Sequence, residues 1–459
     1  MLGDQDTIAA ISTAKGIGAL SIVRVSGLET KNILKKAFSG APSTLESHKA
    51  YYGFWNDPAT QKSLDEVLVL YFSPGKGFTG EEAAEIICHG GIETTNSVLN
   101  SILNSGVRLA RPGEFTYRAV MNGKMDLAQA ESVLEIIQAR TPQAVAMALK
   151  NIKGALSEKL TAFENEIIFI LANLEASIDF TTEDIQPVSS VEMLKKLSPV
   201  ISGIESLLKT YLPSRVTKNG LRTVLAGKPN GGKSSLLNAL LGTSRSIVDE
   251  NPGTTRDTIE ADLKVGDQIF CLVDTAGLRI AKNNIEDQGI SRAHGELSSA
   301  DIIIYVVDGA QGLSNEDVEH IKPMGFERTL ICFNKNDIQS KSPEAEISRF
   351  GLAEFNVVTS NTLNSHGVET LKSILGSLGL KRSLGGEVDS VISTQRQNEN
   401  LARAHKSLVE AKSSLEKKVS PDLISFSLRD ALDAIQSTLG KNAGEDVMDR
   451  VFKEFCIGK

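Results

Sequence analysis

The spacing of apolar positions changes character along the chain. Up to about Val120 they form short alternating runs closed by glycine or proline, as in "GALSIVRVSG", "DEVLVLYFSPG" and "EEAAEIICHGG". A two-residue period marks strands, and the helical "GIETTNSVLNSILNSG" between them predicts a compact α+β domain. From about Asp126, "DLAQAESVLEIIQARTPQAVAMALKNIKGALSEKLTAFENEIIFILANLEASIDF" runs almost without Gly or Pro, its apolar residues three and four apart. That period predicts long amphipathic helices. "PSRVTKNG" reads as a polar hinge. Beyond it, "TVLAG", "QIFCLVDTAG", "DIIIYVVDG", "TLICFNKND" and "FNVVTSN" are strand-length apolar runs separated by helix-length segments. This is the βαβ pattern of a mostly parallel sheet covered on both faces. "LKRSLGGE" is a second hinge, after which "SVISTQRQNENLARAHKSLVEAKSSLEKK" returns to helical spacing. The predicted organisation is an N-terminal α+β domain over 1–120, a first helical segment over 121–218, an inserted α/β domain over 219–380 and a second helical segment over 381–459.

Composition narrows the partners. A net charge of −8 supplies no global attraction for nucleic acid, so any RNA contact is local. Cys88, Cys271, Cys332 and Cys456 lie far apart with no C-x-x-C pair, which argues against a zinc cage or a disulfide framework and suits a reducing cytoplasm. "MLGDQDTIAA" lacks the basic-then-apolar pattern of a signal peptide. The greasiest stretch, "EIIFILANLEA", carries Glu166 and Glu175 and is too short to span about 30 Å of hydrocarbon. A cytoplasmic protein without membrane or DNA contacts is expected.

"GKPNGGKS", Gly227–Ser234, fits G-x-x-x-x-G-K-[ST] between the strand "TVLA" and the helical "SLLNALLG". A Gly-rich structural turn would account for the eight residues alone; the strand–loop–helix setting points instead to a phosphate cradle. Main-chain N–H groups of Asn230, Gly231, Gly232, Lys233, Ser234 and Ser235 can close on phosphates, Lys233 adds a point charge, and the Ser234 hydroxyl can ligate magnesium. "NKND" supplies Asn334, Lys335 and Asp337, whose carboxylate can accept both donors of guanine, an arrangement adenine does not offer. In D-T-A-G, Asp274 is expected near magnesium and Gly277 near the γ-phosphate, with Thr275 and Ala276 between. "DENPGTTRD" brings Asp249, Glu250, Asn251, Pro252, Gly253, Thr254 and Thr255, of which Thr255 is the second magnesium hydroxyl on a switch loop. Ser360 and Asn361, in "TSNT", are expected to donate main-chain N–H groups to the guanine carbonyl.

One position breaks the pattern. Ras-type GTPases follow D-T-A-G with a glutamine that orients the attacking water. Here Leu278 stands there, and it cannot orient water. Another water-orienting group and another positive charge are then required. Glu286 and Asp287, in "AKNNIEDQG", are both replacement carboxylates, each also readable as a solvated loop charge.

The whole chain resembles the MnmE (TrmE) family of tRNA-modification GTPases. "RLARPGEFTYRAVMNGKMDLAQAE", "GKPNGGKSSLLN" with "NPGTTRD" and "DTAGLR", and the final "FCIGK" carry the resemblance. It implies a folate-binding N-terminal α+β domain, a discontinuous helical domain and an inserted Ras-like P-loop G domain. It implies that Glu286 is the catalytic glutamate, acting through a bridging water. Potassium ligands fall at Asn230, Asp249, Asn251 and Thr254, with magnesium at Ser234 and Thr255. It further implies a tetrahydrofolate derivative (5-formyl or 5,10-methylene) held by Arg24, Glu85, Lys124 and Lys459, with the Cys456 thiol nearby. His89 reads as a proton shuttle or as a hydrogen-bonded turn residue. The chain would be a homodimer that, with a flavoprotein of the MnmG type carrying FAD, forms a 5-(carboxymethyl)aminomethyl-type modification on wobble uridine of tRNA. Departures from the family are Asp249 for Thr or Ser, Gly231 for Ala or Val, and "TSNT" for S-A-[KR]. The rival readings are a ribosome-assembly GTPase and a GTP switch that docks partners without turnover.

Overall fold

The computed structural model describes residues 6–179, 189–242, 260–274, 295–335, 342–362, 367–382, 391–417 and 419–459. The chain divides into two compact units: Met1–Ile137 with Ala148–Glu205 and Gln395–Lys459, and Gln138–Met147 with Ser206–Thr394.

In the first unit, β1 (Ile8–Ile11), β2 (Leu20–Ser26), β3 (Lys49–Asn56), β4 (Ser63–Phe72), β5 (Ala83–His89) and β6 (Arg108–Leu109) form one sheet in the order β3-β4-β5-β2-β1-β6. All pairs are antiparallel except β1 with β6. Strand alternation sends Val23, Val25, Val67, Val69 and Ile86 to one face, where they bury against Ile33, Leu34, Val98 and Ile102 of the helices Thr30–Ala37 and Ile92–Leu103. The other face carries Arg24 directly opposite Glu85, and Ala10 opposite Arg24. Phe115, from the helix Glu114–Met121, packs there on Ile8 and Ala10.

The helical part of this unit joins separated stretches of chain. Gln395–Glu416 packs along Pro421–Leu439, which packs along Ala155–Asp179. Leu401, Ala404, Leu408, Ala411 and Leu415 are buried at the three- and four-residue spacing read from the sequence. A polar knot fixes the register: Arg396 donates from Nε and Nη2 to the two oxygens of Glu131, at 2.8 Å each, and from Nη1 to Ser437 O.

The second unit holds β7 (Leu221–Ala226), β8 (Glu260–Val265), β9 (Gln268–Asp274), β10 (Ile302–Asp308), β11 (Thr329–Asn334) and β12 (Asn356–Thr359), in the order β12-β11-β10-β7-β9-β8. It is parallel apart from β8, which turns back on β9. Apolar layers cover both faces: Leu225, Ile302 and Ile304 against Leu236, Leu240, Leu371 and Leu375, and Val224, Ile303 and Phe333 against Ile321 and Ile347. The mixed α+β and α/β architecture, with its discontinuous helical region and inserted P-loop sheet, is the one expected.

One expectation needs correcting. "PSRVTKNG" is not a hinge but most of a helix, Tyr211–Asn219. Pro213 sits in its first turn, where a missing N–H costs nothing, and Gly220 closes it at φ 81°, its N–H donating to Val216 O. Among the described residues, no helix is long and apolar enough to cross a membrane.

Candidate functional site

The P-loop leaves the end of β7 and enters the helix Lys233–Gly242. Gly227 has φ +125°, and a Cβ there would lie 2.2 Å from Val306 O, so only glycine lets the loop pass β10. Lys233 is buried, and its Nζ donates to Gly227 O and Lys228 O at 2.8 Å each. Ser234 Oγ donates to Asp274 Oδ2 at 2.8 Å, bringing a hydroxyl and a buried carboxylate together at the helix N-terminus. Hard oxygen ligands of this kind are what magnesium takes.

The end of β11 supports the loop from beside it. Asn334 Nδ2 donates to Gly231 O at 3.2 Å, and Lys335 Nζ donates to Asn230 O at 2.6 Å and to Asp308 Oδ2 at 2.8 Å. Burial works against the charge on Asp308, but the Lys335 ammonium and the Ala310 N–H hold its carboxyl below the ordinary value. Asn230, Gly231, Gly232, Lys233, Ser234, Asp274, Asn334, Lys335 and Ser360 are thus assembled around one loop. Ser235, next along the helix, is exposed. The expectation for Ser360 changes: its N–H already donates to Phe333 O at 2.8 Å, and its hydroxyl donates to Asn334 Oδ1 at 3.1 Å. It is a support for Asn334. Asp249, Glu250, Asn251, Pro252, Gly253, Thr254, Thr255, Thr275, Ala276, Gly277, Leu278, Glu286, Asp287 and Asp337 lie outside the described residues.

A second cluster lies on the open face of the first sheet. Arg24 donates to Glu85 Oε1 from Nε at 3.0 Å and Nη2 at 2.7 Å, and from Nη1 to Gly458 O at 3.1 Å. Its guanidinium lies 5.7 Å from the Phe78 ring centroid and 5.5 Å from that of Phe115. The chain's last residues are seated by main-chain bonds. Gly113 N–H donates to Cys456 O at 3.3 Å, Phe115 N–H donates to Lys459 O at 3.2 Å, and Pro112 bridges Ile457. Burial, and then repulsion from Arg24, push the Lys459 ammonium below its ordinary pKa, with Glu85 acting the other way. Lys124 Nζ donates to Gly75 O at 3.1 Å, on the turn before Phe78. Arg24, Glu85 and Lys459 are therefore brought together, and Lys124 is placed on that turn. Cys456 is exposed. His89 is the last residue of β5 and not a turn residue, and it is hydrogen-bonded to Asp65, its Nδ1 at 2.7 Å from Oδ1 and its N–H donating to Oδ2 at 2.7 Å.

Beneath this face, Glu114 accepts from Arg108 Nη2 at 2.6 Å, Arg118 Nη2 at 3.1 Å and Arg111 N–H at 2.8 Å, and Asp6 accepts from Arg108 and Arg118. Burial opposes both charges, but these donors hold the two carboxyls below their ordinary values. Sequence reading missed this network, together with Asp308, Phe78, Phe115 and Gly458. The "RLARPGEFTYR" stretch held a signal for it, since Glu114 has Arg118 one helical turn after it and Arg108 and Arg111 shortly before it, and a carboxylate among apolar neighbours calls for such cationic partners.

Residues 127–456 match the family described as the MnmE helical domain, and residues 7–124 the one described as the GTP-binding protein TrmE N-terminus. A tRNA modification GTPase MnmE of Bdellovibrio bacteriovorus is 40% identical over 99% of this chain and 98% of its own length. One from Lactobacillus delbrueckii subsp. bulgaricus is 36% identical over 100% of this chain and 99% of its own. The solved G domain of the T. maritima FeoB iron transporter covers 34% of this chain and 98% of that chain at 24% identity, with a TM-score of 0.27.

Proposed function

Because the chain belongs to the MnmE family of tRNA modification GTPases, and is a GTP hydrolase acting in tRNA modification, we propose that its turnover relies on Glu286 and potassium in place of the glutamine that Leu278 displaces. Glu286 orients the attacking water through a bridging water. Asn230, with oxygens of Asp249, Asn251 and Thr254, would hold potassium, which supplies positive charge beside the phosphates where an arginine otherwise does. Ser234 and Thr255 would hold magnesium, with Asp274 behind Ser234, and Asp337 selects guanine while Asn334 steadies the P-loop. The observation that supports this most is the 2.8 Å Ser234–Asp274 bond beside buried Lys233.

The first unit takes the one-carbon donor. Glu85 suits the donor edge of a pterin, while Arg24, Lys124 and Lys459 suit its carbonyl or anionic tail. A half-buried Arg24–Glu85 pair flanked by Phe78 and Phe115 combines charged and aromatic groups of the kind a tetrahydrofolate derivative needs. The homodimer forms through this unit. Leu20, Tyr52, Phe54 and Leu68 are exposed by 64, 62, 49 and 43% and share the sheet face opposite the helices Thr30–Ala37 and Ile92–Leu103. With an MnmG-type flavoprotein and its FAD, the product is a 5-(carboxymethyl)aminomethyl-type group on wobble uridine of certain tRNAs, in the cytoplasm.

The test is mass spectrometry of wobble uridines in cells lacking this chain, complemented with wild type, R24A or E286A. Wild type restores the modified nucleoside and both variants leave it missing. Full modification with R24A would contradict the folate assignment, and with E286A the hydrolytic one.

A further inference from the structure

The P-loop is gripped from the side at two points, by the segment that follows β10 and by Lys335, the residue after β11. At one end Lys228 Nζ donates to Ser314 Oγ at 2.7 Å and pairs with Glu316 at 2.8 Å. At the other, Lys335 Nζ bridges Asn230 O and Asp308 Oδ2. Asn230 has φ 62° and Lys335 φ 60°, two non-glycine residues in the left-handed region. Such backbone is uncommon outside glycine and persists where surrounding contacts hold it. The Asn230 carbonyl is held by the Lys335 ammonium, and the counter-charge of that ammonium is Asp308, whose side chain is 14% exposed.

We infer that Asp308 is a positioning residue for cation-assisted GTP hydrolysis: through Lys335 it fixes the left-handed turn at Asn230, and so the direction of the side chain that reads potassium. The inference rests on the potassium reading proposed above. Asp308 Oδ1 accepts the Ala310 N–H at 3.0 Å, while Oδ2 serves Lys335. Asparagine at this position keeps the turn bond and the shape but removes the charge. Lys335 then loses its partner, the grip on Asn230 O slackens, and the cation site loses its order before the phosphate cradle does. A residue that only propped the guanine loop would instead change nucleotide affinity and leave the cation response alone.

The experiment measures GTP turnover of the full chain at saturating GTP against potassium at constant ionic strength, and GDP affinity alongside, for wild type, D308N, D308S and D308E. D308N, and the shorter D308S as a second uncharged variant, should raise the potassium concentration for half-maximal rate at least about fivefold, a coupling of ordinary size between sites. Most of the rate should return at high potassium, and D308E should restore the midpoint to within about twofold, since it restores the charge. A wild-type potassium midpoint retained in both D308N and D308S overturns the inference alone, whatever happens to GDP affinity. Equal wild-type rates in potassium and sodium overturn the potassium reading and the inference with it.

Discussion

Arg24 Nη1 donates to Gly458 O across 3.1 Å while the same guanidinium pairs with Glu85, so one side chain ties the centre of a sheet to residues 434 positions further along the chain. Removing it should loosen the tail and uncover Glu85 together. R24A is expected to weaken folate binding by at least tenfold, roughly 1.4 kcal/mol, with GTP turnover unchanged. Calorimetric titration with 5-formyltetrahydrofolate checks this, and wild-type affinity in R24A would remove Arg24 from the site.

Gly458 is the second half of that clasp. Its φ is +93°, and a Cβ would fall 2.3 Å from Ile11 O, a backbone atom that cannot step aside. G458A should therefore unseat the tail at a local cost of about 1–3 kcal/mol. Hydrogen exchange of the Gly113 and Phe115 amides, which donate to Cys456 O and Lys459 O, reports it directly. Faster exchange is expected at both, and unchanged protection would mean that the tail tolerates a side chain there.

Acid should strike the network beneath the tail. The Glu114 and Asp6 carboxyls titrate below their ordinary values of 4.5 and 3.8, because Arg108 and Arg118 favour their ionised forms despite burial. Between the lowered and ordinary values the unfolded chain binds more protons than the folded one. Their contribution to stability is thus full above the ordinary values and fades as pH falls through the lowered ones. Urea midpoints of the first unit should fall steadily below about pH 4.5, and E114Q should flatten that slope while lowering stability at neutral pH by about 3–5 kcal/mol, the cost of breaking a buried ion cluster. An equally steep slope in E114Q would assign the acid response to other groups.

What the sequence made legible follows from how local each signal is. The five apolar runs of the inserted sheet became β7, β9, β10, β11 and β12 because buried parallel strands are apolar on both faces. β8 went unread: "EADLKV" alternates charged with apolar residues, yet it pairs with β9 through a two-residue turn at Gly266 and Asp267, and that Gly-Asp was the signal available. β1 is four residues long and β3 mixes aromatic with polar positions, so neither shows a clean two-residue period. Lys233, Ser234 and Asp274 were placed by motif because their spacing is fixed by strand and helix geometry. Asp308 and Gly458 act through main-chain atoms of residues distant in sequence, and a carbonyl oxygen leaves no mark on residue identity. Ser360 was read by its neighbours as a guanine contact, and only the β11–β12 ladder reveals that its N–H is already used.

The central claim is that an aliphatic residue after D-T-A-G is compensated by a monovalent cation and a distant carboxylate. GTP turnover by the full chain, measured in matched potassium and sodium buffers for wild type and E286A, tests it most directly. The account predicts turnover in potassium at least tenfold that in sodium, and a loss of at least a hundredfold in E286A with GTP affinity retained, the range in which general acid–base groups act. Equal rates in the two salts, or full activity in E286A, would contradict it.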